Sequence, residues 1–318
     1  MGKTVLDVEI LFSSSKAFDP QIKEIRFGKY KIKSIPTARE SLEDTRENHI
    51  LEFKDLWKNE QMNSDPEREG GYVLSLLSLI LEMKTEFDSI KVNNVQGTIR
   101  KRRSLFLNGK AEFPSDFEDL FRKLQFLKED VLRQYLRSCD AYKVALYLID
   151  NNPTLSFYLL VTAVEAIANK VIRSKSQRHN FMEFIFKYIP DYLKKELGDE
   201  KLLQALIEEA YNMRCAFTHG GTEISIATLS ADFLNRKYVK HYIKEKERYS
   251  PSIKWFESVV RAVLIGFLRD QRISWKRKSK LNELAMKEKV IYLKLSKSVK
   301  LGQLITTEDV DLDFQKDA

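Results

Sequence analysis

The segment from residue 154 to residue 172 constrains the fold of this chain more than any other. Asn151, Asn152 and Pro153 precede it, and proline is well tolerated in the first turn of a helix. The helix that this segment predicts is apolar nearly all round, with Leu155, Phe157, Leu159, Leu160, Val161, Val164 and Ile167. Such a helix is buried on most of its sides. The rest of the chain must therefore supply elements that surround it.

Further helical patterns lie on both sides of this segment. They cover residues 116–150, 181–197, 200–217 and 253–272. Pro190 is expected to break the second pattern, and Gly220-Gly221 is expected to end the third. Together these patterns predict an all-α helical bundle over residues 115–285.

The chain before Pro114-Ser115 has a different character. Residues 4–12 alternate apolar and polar side chains, which predicts a strand, and residues 22–35 predict a second strand or a hairpin. Residues 72–90 predict a helix, and residues 91–113 predict short strands. We therefore expect a smaller mixed α/β domain over residues 1–114, so that the fold class of the whole chain is α+β. Residues 286–318 are expected to form a C-terminal tail, strand-like or irregular over 290–314.

The positive charge of the chain is concentrated near its C-terminal end. The 318 residues have a formal net charge of +8, and residues 269–300 contain eleven Lys/Arg and three Asp/Glu. A basic segment of this kind suits a polyanion such as nucleic acid or an anionic membrane. The alternative is a solvated helix that keeps the protein soluble.

Other bulk features exclude several classes of protein. Two cysteines, Cys139 and Cys215, suggest neither a disulfide framework nor a metal cluster. No apolar run of about 18 residues predicts a membrane span, and residues 1–6 lack a signal-peptide pattern. H-E-x-x-H, C-x-x-C and phosphate-loop glycine motifs are absent from the sequence. The sequence thus predicts a cytoplasmic protein without a membrane contact, a metal or another cofactor.

The most informative stretch for chemistry is Tyr211-Asn-Met-Arg-Cys-Ala-Phe-Thr-His-Gly-Gly221. Arg214 lies on the apolar line of its predicted helix, where a guanidinium is costly unless an anion meets it. His219 stands just before the glycine pair, at a helix end that favours imidazolium. The two positions are about 140° apart on an ideal helix, so they can face one cleft only if the last turn unwinds. Arginine can clamp a phosphate and histidine can transfer a proton, and this chemistry fits RNA cleavage by the ribose 2′-OH.

Three segments resemble the HEPN superfamily, and more closely its ApeA-like branch, over residues 120–270. Residues 211–220 are similar to that branch's Tyr-x-x-Arg-Ser-x-x-x-His-Gly pattern, which is an R-x4-H ribonuclease motif. Leu160-Val-Thr-Ala-Val-Glu-Ala-Ile167 is similar to its preceding helix, with a glutamate in apolar surroundings. Arg178-His-Asn-Phe-Met-Glu-Phe-Ile185 is similar to the basic and aromatic start of the helix between them.

This resemblance implies a homodimer in which two Arg214/His219 pairs meet across a two-fold axis and form one composite site. It implies metal-independent endoribonuclease activity that leaves a 2′,3′-cyclic phosphate. It also implies a role in antiviral defence or as a toxin, with an antitoxin or another defence-system protein as partner. Many active members have Asn, Asp or His directly after the arginine, whereas this chain has Cys215.

Glu165 is a further candidate, because it lies with Thr162 and Asn169 in a thin polar stripe on an otherwise apolar helix. It is predicted to orient Arg214 or His219, and the alternative is that the stripe is only the wet edge of the helix. The candidates for RNA-backbone contacts are Arg178 and the run Lys276, Arg277 and Lys278, beside the stacking surface of Trp275. Solvation of the surface explains such cations equally well.

Three classes of function stay open at this point. The first is the endoribonuclease. The second is a catalytically inactive HEPN-type RNA-binding or sensor protein that uses the same dimer cleft. The third is a structural dimerisation module in which Arg214 only pairs with Glu165.

Overall fold

The computed structural model describes residues 4–18, 24–35, 47–57, 66–93, 95–99, 110–124, 126–174, 176–221, 223–243 and 246–271. The first half contains strands β1 (Thr4–Ser14), β2 (Glu24–Phe27), β3 (Tyr30–Ile35), β4 (Glu47–Trp57), β5 (Thr85–Val92) and β6 (Val95–Ile99), with helix α1 (Pro66–Leu81) between β4 and β5. The second half contains α2 (Phe117–Leu124), α3 (Glu129–Leu148), α4 (Pro153–Val171), α5 (Gln177–Tyr188), α6 (Asp191–Leu197), α7 (Glu200–Gly220), α8 (Ile226–Phe233), β7 (Tyr238–Ile243), β8 (Lys246–Pro251) and α9 (Ile253–Arg269). The chain is thus of mixed α+β class.

Within the described residues, the first six strands form one antiparallel sheet in the order β2-β3-β4-β1-β5-β6. The alternation that predicted β1 sets its two faces, because Val8, Ile10 and Phe12 are buried whereas Asp7 is exposed. In register with them, β4 places His49 opposite Phe12 and Leu51 opposite Ile10. The buried face of the sheet is therefore built from every second residue of both strands.

Helix α1 covers this face, but its bounds differ from the predicted 72–90. It begins at Pro66 and ends at Leu81, and the chain then returns as β5 from Thr85. Residues 85–92 can satisfy their backbone hydrogen bonds beside β1, and their apolar side chains fit the sheet face. This tertiary pairing overrides the helical pattern, so the C-terminal part of the predicted helix was wrong.

The predicted helix over 116–150 is two helices. Between them, Phe126 N donates to Lys123 O over 3.1 Å and Leu127 N donates to Leu124 O over 3.2 Å. These i→i+3 bonds close a tight turn. Leu124 and Leu127 are both buried, so the turn also packs its apolar side chains into the protein. The apolar spacing of a helix therefore continues through the turn, and the sequence pattern does not reveal the break.

Helix α4 lies at the centre of the helical part, as its composition predicts. The side chain of Asn152 accepts a hydrogen bond from Leu155 N over 3.0 Å, and Pro153 occupies the first turn. Phe157, Leu160 and Val164 are fully buried. Among the described helices, α4 alone is long and apolar enough to cross a membrane, and half of its apolar window is buried inside the protein.

The breaks predicted at Pro190 and at the glycine pair are present, because α5 ends at Tyr188 and α7 ends at Gly220. An additional element is not helical. After the short helix α8, the chain forms a two-stranded antiparallel ribbon of β7 and β8 before α9 begins. The prediction of helices alone over residues 115–285 therefore missed this hairpin. The hairpin lies beside α7, and its side chains alternate between two faces as in other strands.

The sheet and the helices share one continuous buried core. Arg261 of α9 joins them by donating to the carbonyl oxygens at the end of α1, over 2.9 Å to Leu79 and 2.8 Å to Ile80. On the other side, the ring of Phe27 in β2 packs against the rings of Phe117 and Phe121 in α2. The division of the chain at residue 114 stays a prediction.

Candidate functional site

Helix α7 carries both members of the predicted Arg/His pair. Asp199 caps its first turn by accepting from Lys201 N over 2.8 Å. At the other end, Gly221 has a φ of +61° and donates its N–H to Phe217 O over 3.0 Å. A left-handed residue in this position ends a helix at little cost only when it is glycine. The helix therefore remains regular through Gly220, so the condition under which Arg214 and His219 could face one cleft of the same chain is not met.

Arg214 pairs with Glu165 of helix α4. Arg214 Nη2 lies 2.9 Å from Glu165 Oε2, and the two side chains are 17 % and 7 % exposed. The Arg214 guanidinium also lies over the Tyr158 ring, 5.9 Å from its centroid. The structure thus brings together two of the predicted site residues, and it provides the anion that an arginine on the apolar line of α7 requires.

The electrostatics of this pair reflect its burial. Burial raises the pKa of Glu165 above its ordinary value, although Arg214 and the Tyr211 hydroxyl favour the ionised carboxylate. Burial also raises the pKa of Tyr211, and the neighbouring carboxylate adds to this effect. For Arg214, burial opposes the charged form, but Glu165 and Tyr158 outweigh it and raise the pKa further. The guanidinium therefore stays charged.

Two polar atoms of the pair are buried without a hydrogen-bond partner among the described residues. They are Glu165 Oε1, an acceptor, and Arg214 Nε, a donor. A buried polar atom without a partner is costly. Each of the two atoms has less than 1 Å² of accessible surface, so a ligand that offers a hydroxyl to the carboxylate and an oxyanion to the guanidinium would reach them only if adjoining side chains moved.

His219 lies on the final turn of α7 and is exposed. On a regular helix it stands about 140° from Arg214, and it shares a helical face with Glu208 and Cys215 instead. The structure therefore does not bring the imidazole to the guanidinium within a single chain. A site that uses both groups needs a second copy of the chain.

Arg178 lies away from this pair, at the start of α5. It contributes to an open depression of about 760 Å³ between α5 and the first half of α7, which His179, Met182, Glu183 and Gln204 also line. Arg178 Nη2 is 3.3 Å from Glu208 Oε2, so an anion at this place would have to compete with a carboxylate.

The remaining predicted RNA contacts, Lys276, Arg277 and Lys278, lie outside the described residues, as does most of the basic segment 269–300. Within the described ranges, no group of three or more His, Cys, Asp or Glu side chains is arranged to hold a metal ion.

Sequence reasoning missed the two tyrosines at the site. Tyr158 stands seven residues before Glu165 on α4, and Tyr211 stands three residues before Arg214 on α7. Both spacings place a tyrosine on the same helical face as the charged residue. This spacing was available in the sequence and could have identified both residues.

Comparisons with known proteins add no relative. No protein-family model, curated protein or solved structure matches this chain. The likeness to the HEPN superfamily therefore stays a prediction that depends on the three quoted segments.

Proposed function

We propose that this protein is a metal-independent endoribonuclease of HEPN type, active as a homodimer in the cytoplasm in a defence or toxin context. Its helical part is the HEPN-like bundle, to which the hairpin β7-β8 is an addition. Arg214 clamps the scissile phosphate, His219 transfers the proton, and Glu165 orients Arg214. The observation that carries the proposal is the Arg214–Glu165 pair, which is mostly buried and has an unpaired donor, on the helix whose last turn exposes His219.

The chemistry follows from the charges of these groups. Attack of the ribose 2′-OH on the adjacent phosphorus forms the 2′,3′-cyclic phosphate and breaks the bond to the 5′-oxygen of the next nucleotide. An imidazole accepts the 2′-OH proton or delivers a proton to the leaving oxygen. The Arg214 guanidinium stabilises the additional negative charge on the phosphate oxygens. Glu165 keeps the guanidinium in one orientation, so that less of its conformational freedom is lost on binding.

A two-fold arrangement supplies what one chain lacks. Because Arg214 and His219 diverge around the axis of α7, the imidazole that serves one guanidinium comes from the partner subunit. This geometry can be tested by subunit mixing. Arg214→Ala and His219→Ala homodimers are each expected to be inactive. A mixed dimer contains one intact guanidinium and one intact imidazole on different chains, and it is expected to recover activity.

The primary assay is incubation of the purified protein with total RNA in EDTA. The wild type is expected to cleave the RNA, and His219→Ala is expected to lose about a hundredfold or more of the rate. Thr218→Ala, which changes the same helical turn and leaves the imidazole in place, is expected to retain activity. Cleavage that EDTA abolishes, or that His219→Ala retains in full, would exclude this mechanism.

A second candidate is an RNA-binding or sensor protein that does not cleave. The observation that favours it is that Arg214 is already occupied by Glu165, while His219 is on another side of the helix. RNA binding without cleavage by the wild-type dimer would select this function. Neither binding nor cleavage would select the structural dimerisation module.

A further inference from the structure

The β7-β8 hairpin displays an aromatic surface that the proposed catalytic groups do not use. Its register places Lys240 opposite Tyr249 and Tyr242 opposite Glu247. Because side chains alternate along a strand, Tyr238, Lys240 and Tyr242 lie on one face together with Tyr249. The other face carries His241, which hydrogen bonds to the buried Ser250 over 2.9 Å. On the tyrosine face, Tyr238 and Tyr249 are partly buried and pack against the core, whereas Tyr242 is exposed.

The rings on this face are ordered by their neighbours. Tyr238 and Tyr249 meet edge to face, with ring centroids 5.8 Å apart. Lys240 Nζ lies 5.7 Å from the Tyr242 centroid and 6.0 Å from that of Tyr249. Glu247 holds both Lys240, over 2.6 Å, and the Tyr249 hydroxyl. We name Tyr238, Lys240, Tyr242 and Tyr249 the tyrosine platform.

The exposure of Tyr242 exceeds what hairpin stability requires. Cross-strand aromatic contacts alone stabilise a hairpin, but Tyr242 is 65 % exposed, so one face of its ring is available to a ligand. Phe233, which ends α8 shortly before β7, is 90 % exposed. The rings of Tyr242 and Phe233 are therefore both accessible to a ligand.

The surrounding charge selects the ligand. Residues 236–251 contain six Lys/Arg and two Glu, and the exposed cations in the described part are Arg236, Lys237, Lys240 and Arg248. Three of them pair with surface glutamates, and exposed pairs of this kind contribute little free energy. A phosphate backbone can replace such glutamates. Aromatic faces in a cationic surround are the combination that binds unpaired nucleotides.

The hairpin that carries the platform is held next to the candidate site. Arg248 of β8 reaches Glu209 of α7, with 3.9 Å between Nη1 and Oε2. At the base of the hairpin, Thr228 Oγ1 of α8 lies 3.4 Å from Met213 Sδ, and Met213 directly precedes Arg214. The hairpin is therefore fixed against the helix that carries Arg214 through residues that do not belong to the platform.

We infer that the tyrosine platform, through Tyr242 and Lys240, binds the unpaired bases and the backbone of single-stranded RNA. This inference rests on the proposed function for the identity of the substrate. Tyr242 supplies the stacking surface, and Lys240 with Arg236 supplies the contacts to the backbone. Duplex RNA presents no free base faces, so it binds less tightly to this surface.

The test measures fluorescence anisotropy of a labelled oligouridylate with the full chain carrying His219→Ala, so that any cleavage is suppressed. Adding Tyr242→Ala is expected to raise the Kd about tenfold, whereas Tyr242→Phe keeps the ring and is expected to leave the Kd unchanged. Tyr192→Ala is the matched control, since Tyr192 is 61 % exposed on α6. Lys240→Ala is expected to weaken the salt dependence of binding.

Equal affinities of the Tyr242→Ala and Tyr192→Ala proteins, or tighter binding of duplex than of single strands, would overturn the inference. So would a change in sedimentation mass with Tyr242→Ala at unchanged RNA affinity, because the platform would then be a contact between protein chains. The rate of RNA cleavage by the wild type is measured separately. Binding through Tyr242 without cleavage refutes only the ribonuclease, and cleavage with no role for Tyr242 refutes only the platform.

Discussion

Glu257 on α9 is a buried carboxyl group whose ionisation opposes folding. Its side chain is 6 % exposed, and the Tyr142 hydroxyl of α3 donates a hydrogen bond to Oε1. Burial raises its pKa from 4.5 to about 7; the Tyr142 hydrogen bond and Arg261 counteract this, while Glu82 adds to it. In the Glu257→Gln protein, glutamine keeps the shape and the acceptor for Tyr142 but cannot ionise.

The size of the effect follows from the two pKa values. Below pH 4.5 the carboxyl group is protonated in both the folded and the unfolded chain, so it contributes its full stability. Between pH 4.5 and about pH 7 the unfolded chain ionises and the folded chain does not. The free energy of unfolding therefore falls as the pH rises, by about 3 kcal/mol in total. The Glu257→Gln protein does not undergo this loss.

Urea denaturation followed by far-UV circular dichroism, at pH values from 4.5 to 8, measures this effect. The free energy of unfolding of Glu257→Gln minus that of the wild type is expected to rise by about 3 kcal/mol across this range. Glu118→Gln is the control, because Glu118 is 63 % exposed and its difference is expected to stay flat. A difference for Glu257→Gln that varies by less than about 1 kcal/mol would refute the reasoning.

Three further results are expected. Burial lowers the pKa of His49 from 6.5 to about 3, so the unfolded chain takes up a proton between pH 7 and pH 4 and the folded chain does not. The free energy of unfolding of the wild type is therefore expected to fall by about 3 kcal/mol over this range relative to that of His49→Gln. An equal pH dependence of the two free energies in urea titrations would disprove this. Arg214→Met leaves a buried carboxyl group without its cation and is expected to cost about 3 kcal/mol, most of which Arg214→Met combined with Glu165→Gln recovers; no recovery in thermal melts would mean that the pair is not the cause. A Cβ at position 266 would lie 2.5 Å from Tyr188 O, whereas one at position 71 meets nothing within 4 Å. The free energy of unfolding is therefore expected to fall by about 1–3 kcal/mol in Gly266→Ala and to rise by about 0.5–1 kcal/mol in Gly71→Ala. Melting temperatures equal to that of the wild type would contradict both expectations.

The Arg214–Glu165 pair shows why stability and activity must be measured together. A purely structural pair predicts that the combined variant of Arg214 and Glu165 regains stability with no functional loss. The ribonuclease proposal predicts that the same variant folds normally and cleaves no RNA. The two readouts separate the dimerisation module from the enzyme.

Elements with strong periodicity and with signals at their ends can be predicted from the amino-acid sequence. The apolar composition of α4 and its Asn152-Pro153 start predicted a central helix, and the alternation in β1 predicted which of its faces is buried. The sequence also identifies Glu165 and Arg214 as candidate residues for one physical reason. An isolated charge on an apolar face requires a partner, and each of the two residues is such a charge.

Where the local pattern and long-range pairing disagree, long-range pairing sets the secondary structure. Residues 85–90 follow a helical pattern, yet they form a strand because β1 offers them backbone hydrogen bonds. The same holds for the β7-β8 hairpin, whose tyrosines share one face only through cross-strand register. The direction of the His219 side chain depends on whether the helix continues through Gly220 or ends before it. Because either glycine can adopt the left-handed conformation, the local sequence does not predict which of them ends the helix. The left-handed backbone falls on Gly221, so the imidazole turns away from Arg214 in the same chain.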